Sequence, residues 1–325
     1  MTEWSRLVPG APNLCPIESS VPRAQRQEHP KQNIFFLETS GEPCLTARQA
    51  CSVESAARAN PDAVISVHME SNKVRNEGKE IKTGEMAGQQ RNCAITSKLS
   101  REQNVQFVHE DLLHQHLKNT TLWRLYQKGL LNQSTHPLTH RSDAVRVAIL
   151  WKRGGLYLDL DCLVFRPLYC LRNTVGLIDF LPNWVENGVM AFDAGHPFLE
   201  FLMKYMVFAF KPDEYISLGP ATLTDAIKYF CDRNEFPIHE EFHCRNGSMI
   251  LQSPSAFYAI NNRRQNAFYH PEADLADFED LRHSYLSHIY DAGNGRLVPS
   301  QSLYGQLARE FCPTTYRMAS GEGEL

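Results

Sequence analysis

The sequence predicts an α/β fold, a single domain around a central, mostly parallel sheet, and three features carry that prediction. Apolar, β-branched runs alternate with helical-period runs from Asn33 onward, and strand, helix, strand is the crossover unit of a parallel sheet. A chain of 325 residues with 42% apolar content is long enough to bury one large core. A helical run that closes on Gly154-Gly155 leads directly into LYLDLDCLVF, a strand-like segment carrying two aspartates.

In chain order, residues 1–32 are rich in Pro, Arg, Gln and Glu and read as a disordered lead or stem with no hydrophobic signal. NIFFLETS (33–40) is the first strand. The helix over 46–59 opens with Thr46 and Gln49 at capping-box spacing, and DAVISVHM (62–69) is the second strand. The polar, glycine-bearing segment 71–92 reads as loop, VQFVHED (105–111) as a third strand, and 112–139 as short helices around Trp123. Ser142 is placed as the N-cap of a helix over 143–153. VGLIDFL (175–181) and GVMAFDA (188–194) read as strands, with Asn187-Gly188 as a turn before the second. Pro197 and Gly219-Pro220 each open a helix. The longest apolar stretch, PFLEFLMKYMVFAF, contains Glu200 and Lys204 and is too short for a bilayer, which makes it a core helix. A formal net charge of -4 supplies no basic field, so nucleic acid is not an expected partner.

Side chains alternate along a strand, so Asp159 and Asp161 are expected on one face, as two hard oxygen ligands suited to Mg2+ or Mn2+. Such a pair alone is weak, because about one Asp-x-Asp arises by chance in a chain of this length. The preceding helix adds weight. Asp143 and Arg146 stand three apart on one face, with Asp143 near the positive helix end. Its carboxylate suits sugar hydroxyls, and the Arg146 fork suits a sugar or phosphate oxygen. The bland alternative is an exposed surface ion pair.

Ser142-Asp143, Arg146, Gly154-Gly155, Tyr157, Asp159 and Asp161 together resemble the DXD-containing glycosyltransferases of the α-1,4-galactosyltransferase (globotriaosylceramide synthase) and α-1,4-N-acetylgalactosaminyltransferase type. The likeness continues through 45–67, 186–203, 218–227 and 303–316, nearly the whole chain after residue 32. It implies a GT-A-like, Rossmann-type fold, with 33–170 as the nucleotide-sugar half, 171–318 as the acceptor side of the same domain and 319–325 as a tail. It further implies Mn2+ (or Mg2+) held by Asp161, Asp159 and His288, and UDP-galactose or UDP-N-acetylgalactosamine as donor. The implied acceptor is a glycolipid or other glycan. Asp143, Arg146, Asp159 and Asp161 would form the catalytic set, with Tyr157, Asn187 and Gly188 also at the substrate and Glu38 to Ser40 near the base. Where relatives tend to carry Trp two residues after the His, this chain has Tyr290, and FYAINNRRQ (257–265) lacks the Pro and Trp expected after Phe-Tyr. Transfer would retain the α configuration. Glu186 and Asp193 are the only acids near the motif for a covalent route, so transfer on one face is the expected course.

Two other classes fit parts of the pattern. A haloacid-dehalogenase-like phosphatase would use Asp159 as phosphoryl acceptor and Asp161 as acid, but places that pair on its first strand, and no later stations are found here. A catalytically silent carbohydrate-binding relative would keep the fold. Nine cysteines, none in Cys-x-x-Cys, leave at least one unpaired. With acceptor sequons at Asn119, Asn132 and Asn246, they favour the secretory lumen. The resemblance makes this the Golgi, with the membrane reached through the acceptor or an anchor missing from this chain.

Overall fold

The computed structural model describes residues 14–15, 32–71, 83–245, 247–291 and 297–319, so most of the lead, Asn246 and residues 320–325 lie outside the described residues. The first half supplies β1 (Asn33–Glu38), α1 (Ala47–Ala59), β2 (Val64–Glu70), α2 (Thr83–Leu99), β3 (Val105–Glu110), α3 (Leu112–Leu117), α4 (Pro137–Arg153), β4 (Gly155–Leu158) and β5 (Cys162–Val164). The second half supplies β6 (Thr174–Ile178), β7 (Trp184–Phe192), α5 (Pro197–Ala209), α6 (Pro220–Cys231), β8 (Phe242–Cys244), β9 (Met249–Gln252), β10 (Leu286–His288) and α7 (Leu303–Phe311).

The fold class is α/β, as expected. One eight-stranded sheet in the order β3-β2-β1-β4-β7-β6-β9-β8 draws strands from both halves. Only β7 and β8 run against the other six. Parallel strands are covered on both faces and are therefore apolar on both. In β1, Ile34 and Phe36 face the core under α1 and α7, while Phe35 and Leu37 face the one under α4 and α5. The capping box forms as the spacing demands: Gln49 N–H donates to the Thr46 hydroxyl, and the Thr46 N–H to the Gln49 side chain. The apolar stretch from Pro197 is a helix that buries one face, through Phe198, Leu199, Leu202, Met203 and Met206, and among the described residues no helix is long and apolar enough to cross a membrane.

Four expectations are corrected. Residues 83–92, read as loop, begin α2, because the buried anchors Ile95 and Leu99 lie beyond the polar segment that was read. The helix before Gly154 starts at Pro137 in its first turn, so Ser142 is mid-helix and caps nothing. LYLDLDCLVF is two strands: β4 ends at Leu158, Asp159 to Asp161 form a turn, and β5 pairs antiparallel with β10 in a separate two-stranded sheet. Asn187-Gly188 is no terminal turn but lies inside β7. There Val175 pairs with Met190 and Gly176 with Glu186, and residues 187–189 bulge from the ladder.

Disulfides join Cys15 to Cys170, Cys44 to Cys93, Cys51 to Cys312 and Cys231 to Cys244, leaving Cys162 free and buried. Asn119 and Asn132 are exposed.

Candidate active site

Three devices assemble the site: the Asp159–Asp161 turn, the β7 bulge and the end of β10. The Asp159 N–H donates to Gly188 O at 2.8 Å, tying turn to bulge, and His288 pairs with Cys162 in register, bringing its ring over the turn. His288 Nε2 then lies 3.2 Å from Asp161 Oδ1 and 3.5 Å from Asp159 Oδ2. Asp161 Oδ2 accepts from the Asp291 N–H at 3.0 Å. Side-chain exposures of 26% for Asp159, 20% for Asp161 and 12% for His288 leave this trio open on one side.

Behind the trio lies a buried layer that holds Asp159 in place. Tyr157 donates its hydroxyl to Asp159 Oδ1 at 2.6 Å, and Arg146 Nη1 stands 3.2 Å from the same oxygen. Arg146 is 4% exposed and spends its fork within the protein. It donates to Asn187 O at 2.8 Å and Ser142 Oγ at 2.9 Å, pairs with Asp143 at 3.3 Å, and lies over the Tyr157 ring. Asp143 Oδ1 accepts from Asn187 Nδ2 at 2.7 Å, while its buried Oδ2 has no partner and faces Gly219. That orphaned oxygen points to a group the chain does not itself supply. Gly188 is required by space: an added Cβ would stand 2.8 Å from the His288 ring and 2.9 Å from Asp159 Oδ2.

The electrostatics separate the acids. Burial pushes Asp143 up to about 6 and Asp161 up to about 6, the latter against the pull of His288. For Asp159 burial is outweighed by Arg146, His288 and Tyr157, which hold it well below the usual carboxylate range. Burial alone would lower His288, but Asp161, Asp159 and Glu186 raise it to about 9. Glu186 is pushed up to about 7, chiefly by burial. It sits opposite Gly176, whose missing side chain makes room for the Tyr258 ring. Asp193 falls outside the site, paired with Arg172 at 2.8 Å. Glu38 turns back to the Ser40 and Gly41 N–H groups, bracing its own loop.

Asp161 and His288, with Asp159 beside them and Gly188 leaving the space, offer oxygen and nitrogen donors that suit a divalent ion. An ion held by His288 would displace the imidazole proton. Mn2+ affinity is therefore expected to rise from pH 6 to about 9, and titration of Mn2+ by electron paramagnetic resonance checks it. Without metal the sign reverses. Raised from an ordinary 6.5 to about 9, the imidazolium stabilises the fold fully below pH 6.5 and loses that contribution as pH passes 9.

Residues 46–178 match the glycosyltransferase sugar-binding region containing DXD motif, and residues 191–319 the alpha 1,4-glycosyltransferase conserved region. The chain is 32% identical over 289 residues to lactosylceramide 4-alpha-galactosyltransferase of Mus musculus, covering 88% of this chain and 75% of that protein. The chain belongs to the α-1,4-glycosyltransferase family. A second member, alpha-1,4-N-acetylglucosaminyltransferase of Homo sapiens, is 29% identical over 88% of this chain and 80% of its own. Solved structures overlap more loosely. Galactosyltransferase LgtC in complex with donor and acceptor sugar analogs shares 13% identity at a TM-score of 0.39, over 87% of this chain and 95% of its own. The PaToxG glycosyltransferase shares 17% at 0.45, over 61% and 68%. For this family member, the DXD aspartates are Asp159 and Asp161.

Proximity in sequence led to Asp143, Arg146, Tyr157 and the aspartate pair. Long-range pairing added what no local pattern shows: the Asp291 N–H, the burial of Cys162, and the phenol of Tyr258 beside His288.

Proposed function

We propose that this chain is a divalent-metal-dependent, retaining hexosyltransferase moving galactose from UDP-galactose to a terminal sugar of a glycolipid in α-1,4 linkage. UDP-N-acetylgalactosamine is a second donor candidate, and the name of the human relative adds UDP-N-acetylglucosamine. The observation that carries the reading is the convergence of Asp159, Asp161 and His288 across the turn and β10, within a chain of this family. Asp161 and His288 would hold the ion, with Asp159 beside it. When bound, the ion neutralises the diphosphate and assists its departure.

The chain's own residues do the rest. Arg146 and Tyr157 fix Asp159, so the negative charge there is set before substrate arrives. Asp143 and Asn187 form a fixed pair whose free Oδ2 offers an acceptor to a sugar hydroxyl. Of the two acids considered for a covalent route only Glu186 is near, so transfer on one face, with the departing diphosphate taking the acceptor proton, is the course we favour. A phosphatase reading has little support: Asp159 Oδ1 is held by Tyr157 and Arg146, and β4 is not the first strand. Four disulfides and the exposed sequons at Asn119 and Asn132 support a place in the secretory pathway.

The test is a panel of UDP-sugars against lactosyl and other glycolipids, with Mn2+ and with chelator, the initial product being read by proton NMR. An α-linked hexoside formed only with metal is expected. A β-linked product overturns retention, turnover in chelator overturns the metal, and UDP binding without turnover points to a silent carbohydrate-binding relative.

A further inference from the structure

Outside the active site, β2, β3 and α3 bring three metal-ligating side chains together. His68 lies on β2, Glu110 closes β3, and His116 stands on α3, whose first turn is capped by Asp111 immediately after Glu110. His68 Nδ1 is 2.5 Å and His116 Nε2 is 2.7 Å from the same oxygen, Glu110 Oε1, and the three ligand atoms lie within 4.8 Å of one another. Both imidazoles are buried, at 0% and 2% exposure.

We propose that His68, Glu110 and His116 form a second divalent-metal site, of zinc type, that staples the outer strands of the sheet to α3. Two imidazoles and one carboxylate are a donor set for Zn2+, with a fourth position left for water. Ligand atoms at about 2.0–2.1 Å from a tetrahedral ion stand about 3.3 Å apart, so the set opens around an ion by shifts of under about 1 Å. A hydrogen-bonded triad accounts for less. One carboxylate oxygen receives both rings, a crowding that an ion between the three side chains would relieve. The neighbourhood is acidic as well: Glu70 stands in register with Glu110 across the ladder, and Asp111 follows Glu110 directly. Burial and Asp111 both push Glu70 up, while Arg141 and Arg153 of α4 are the cations acting on Glu70 and His116.

This site is separate from the DXD aspartates. β2 and β3 lie two and three strands from β4, about 10 and 14 Å across the sheet. It nonetheless bears on them: Lys152 at the end of α4 donates to Gln115 O at 3.2 Å and Lys118 O at 2.7 Å, so a braced α3 steadies the helix that carries Asp143 and Arg146.

The experiment uses the full chain carrying Asp161→Asn, which disables the other candidate site, stripped with chelator and titrated with Co2+. One equivalent is expected, with the visible absorption of a four-coordinate ion, displaced by Zn2+ and accompanied by a higher melting temperature. His68→Gln and His116→Gln, added singly and checked for fold by circular dichroism, should each lose that equivalent. X-ray absorption on the Zn2+-loaded chain without the histidine substitutions should show imidazole scattering, which keeps the proposal testable if the variants fail to fold. No bound equivalent in folded Asp161→Asn chain, an equivalent that persists in a folded histidine variant, or a zinc shell without imidazole overturns it.

Discussion

Asp161→Asn is expected to abolish metal-dependent UDP binding and to lower turnover by about 100-fold or more, with the fold intact. Loss of a group merely supporting a metal ligand costs about 10- to 100-fold, and Asp161 is assigned to the ion itself. The fold should survive because the substitution is isosteric, and the Asn side-chain oxygen can still accept from the Asp291 N–H. Burial already pushes Asp161 up to about 6, so a neutral amide is tolerated there, and Asp159 at 3.5 Å still leaves the His288 imidazolium an anionic neighbour. Calorimetric titration with UDP, in Mn2+ and in chelator, separates the outcomes. Wild-type affinity in Mn2+ would show that Asp161 does not ligate, and a collapsed melting transition would show a structural role instead.

Arg146→Leu should have the largest effect on stability, a loss of about 3–5 kcal/mol, because removing one member of a buried ionic network leaves its partners uncompensated. Arg146 faces Asp143 at 3.3 Å and Asp159 at 3.2 Å, and it alone ties Ser142 Oγ to the carbonyl of Asn187. Asp159 owes its low pKa chiefly to this neighbour, so without it the carboxylate should take up a proton more readily and bind metal less well. Arg146→Lys keeps the charge but not the two-pronged geometry, and should fall between. Urea denaturation measures the stability and Mn2+ titration the second effect. A loss under about 1 kcal/mol for Arg146→Leu would mean the network is already solvated.

Much of this protein was legible in order along the chain, where the governing interactions are local. Thr46 and Gln49 cap one helix from within four residues, the strands 33–40, 62–69 and 105–111 announce themselves by apolar content, and Asp143 and Arg146 share a face because helices repeat every 3.6 residues. The family pattern placed Asp159, Asp161 and His288 in one expected set from residues more than 120 apart.

The sequence by itself determined the α/β class, the alternation of elements and the residue types gathered at the candidate site, because periodicity and local hydrogen bonding are properties of short segments. Tertiary structure alone decided how those residues meet. Asp159 and Asp161 share a site through a turn between two sheets, not through strand alternation, since β10 captures Cys162 to Val164 from the far end of the chain. Asn187 and Gly188 reach the site through a bulge that exists only because β6 and β4 pair with β7 in different registers. Arg146, read as a ligand for substrate, became the support of Asp159 once folding buried it among carboxylates, because a desolvated guanidinium takes the nearest negative charge.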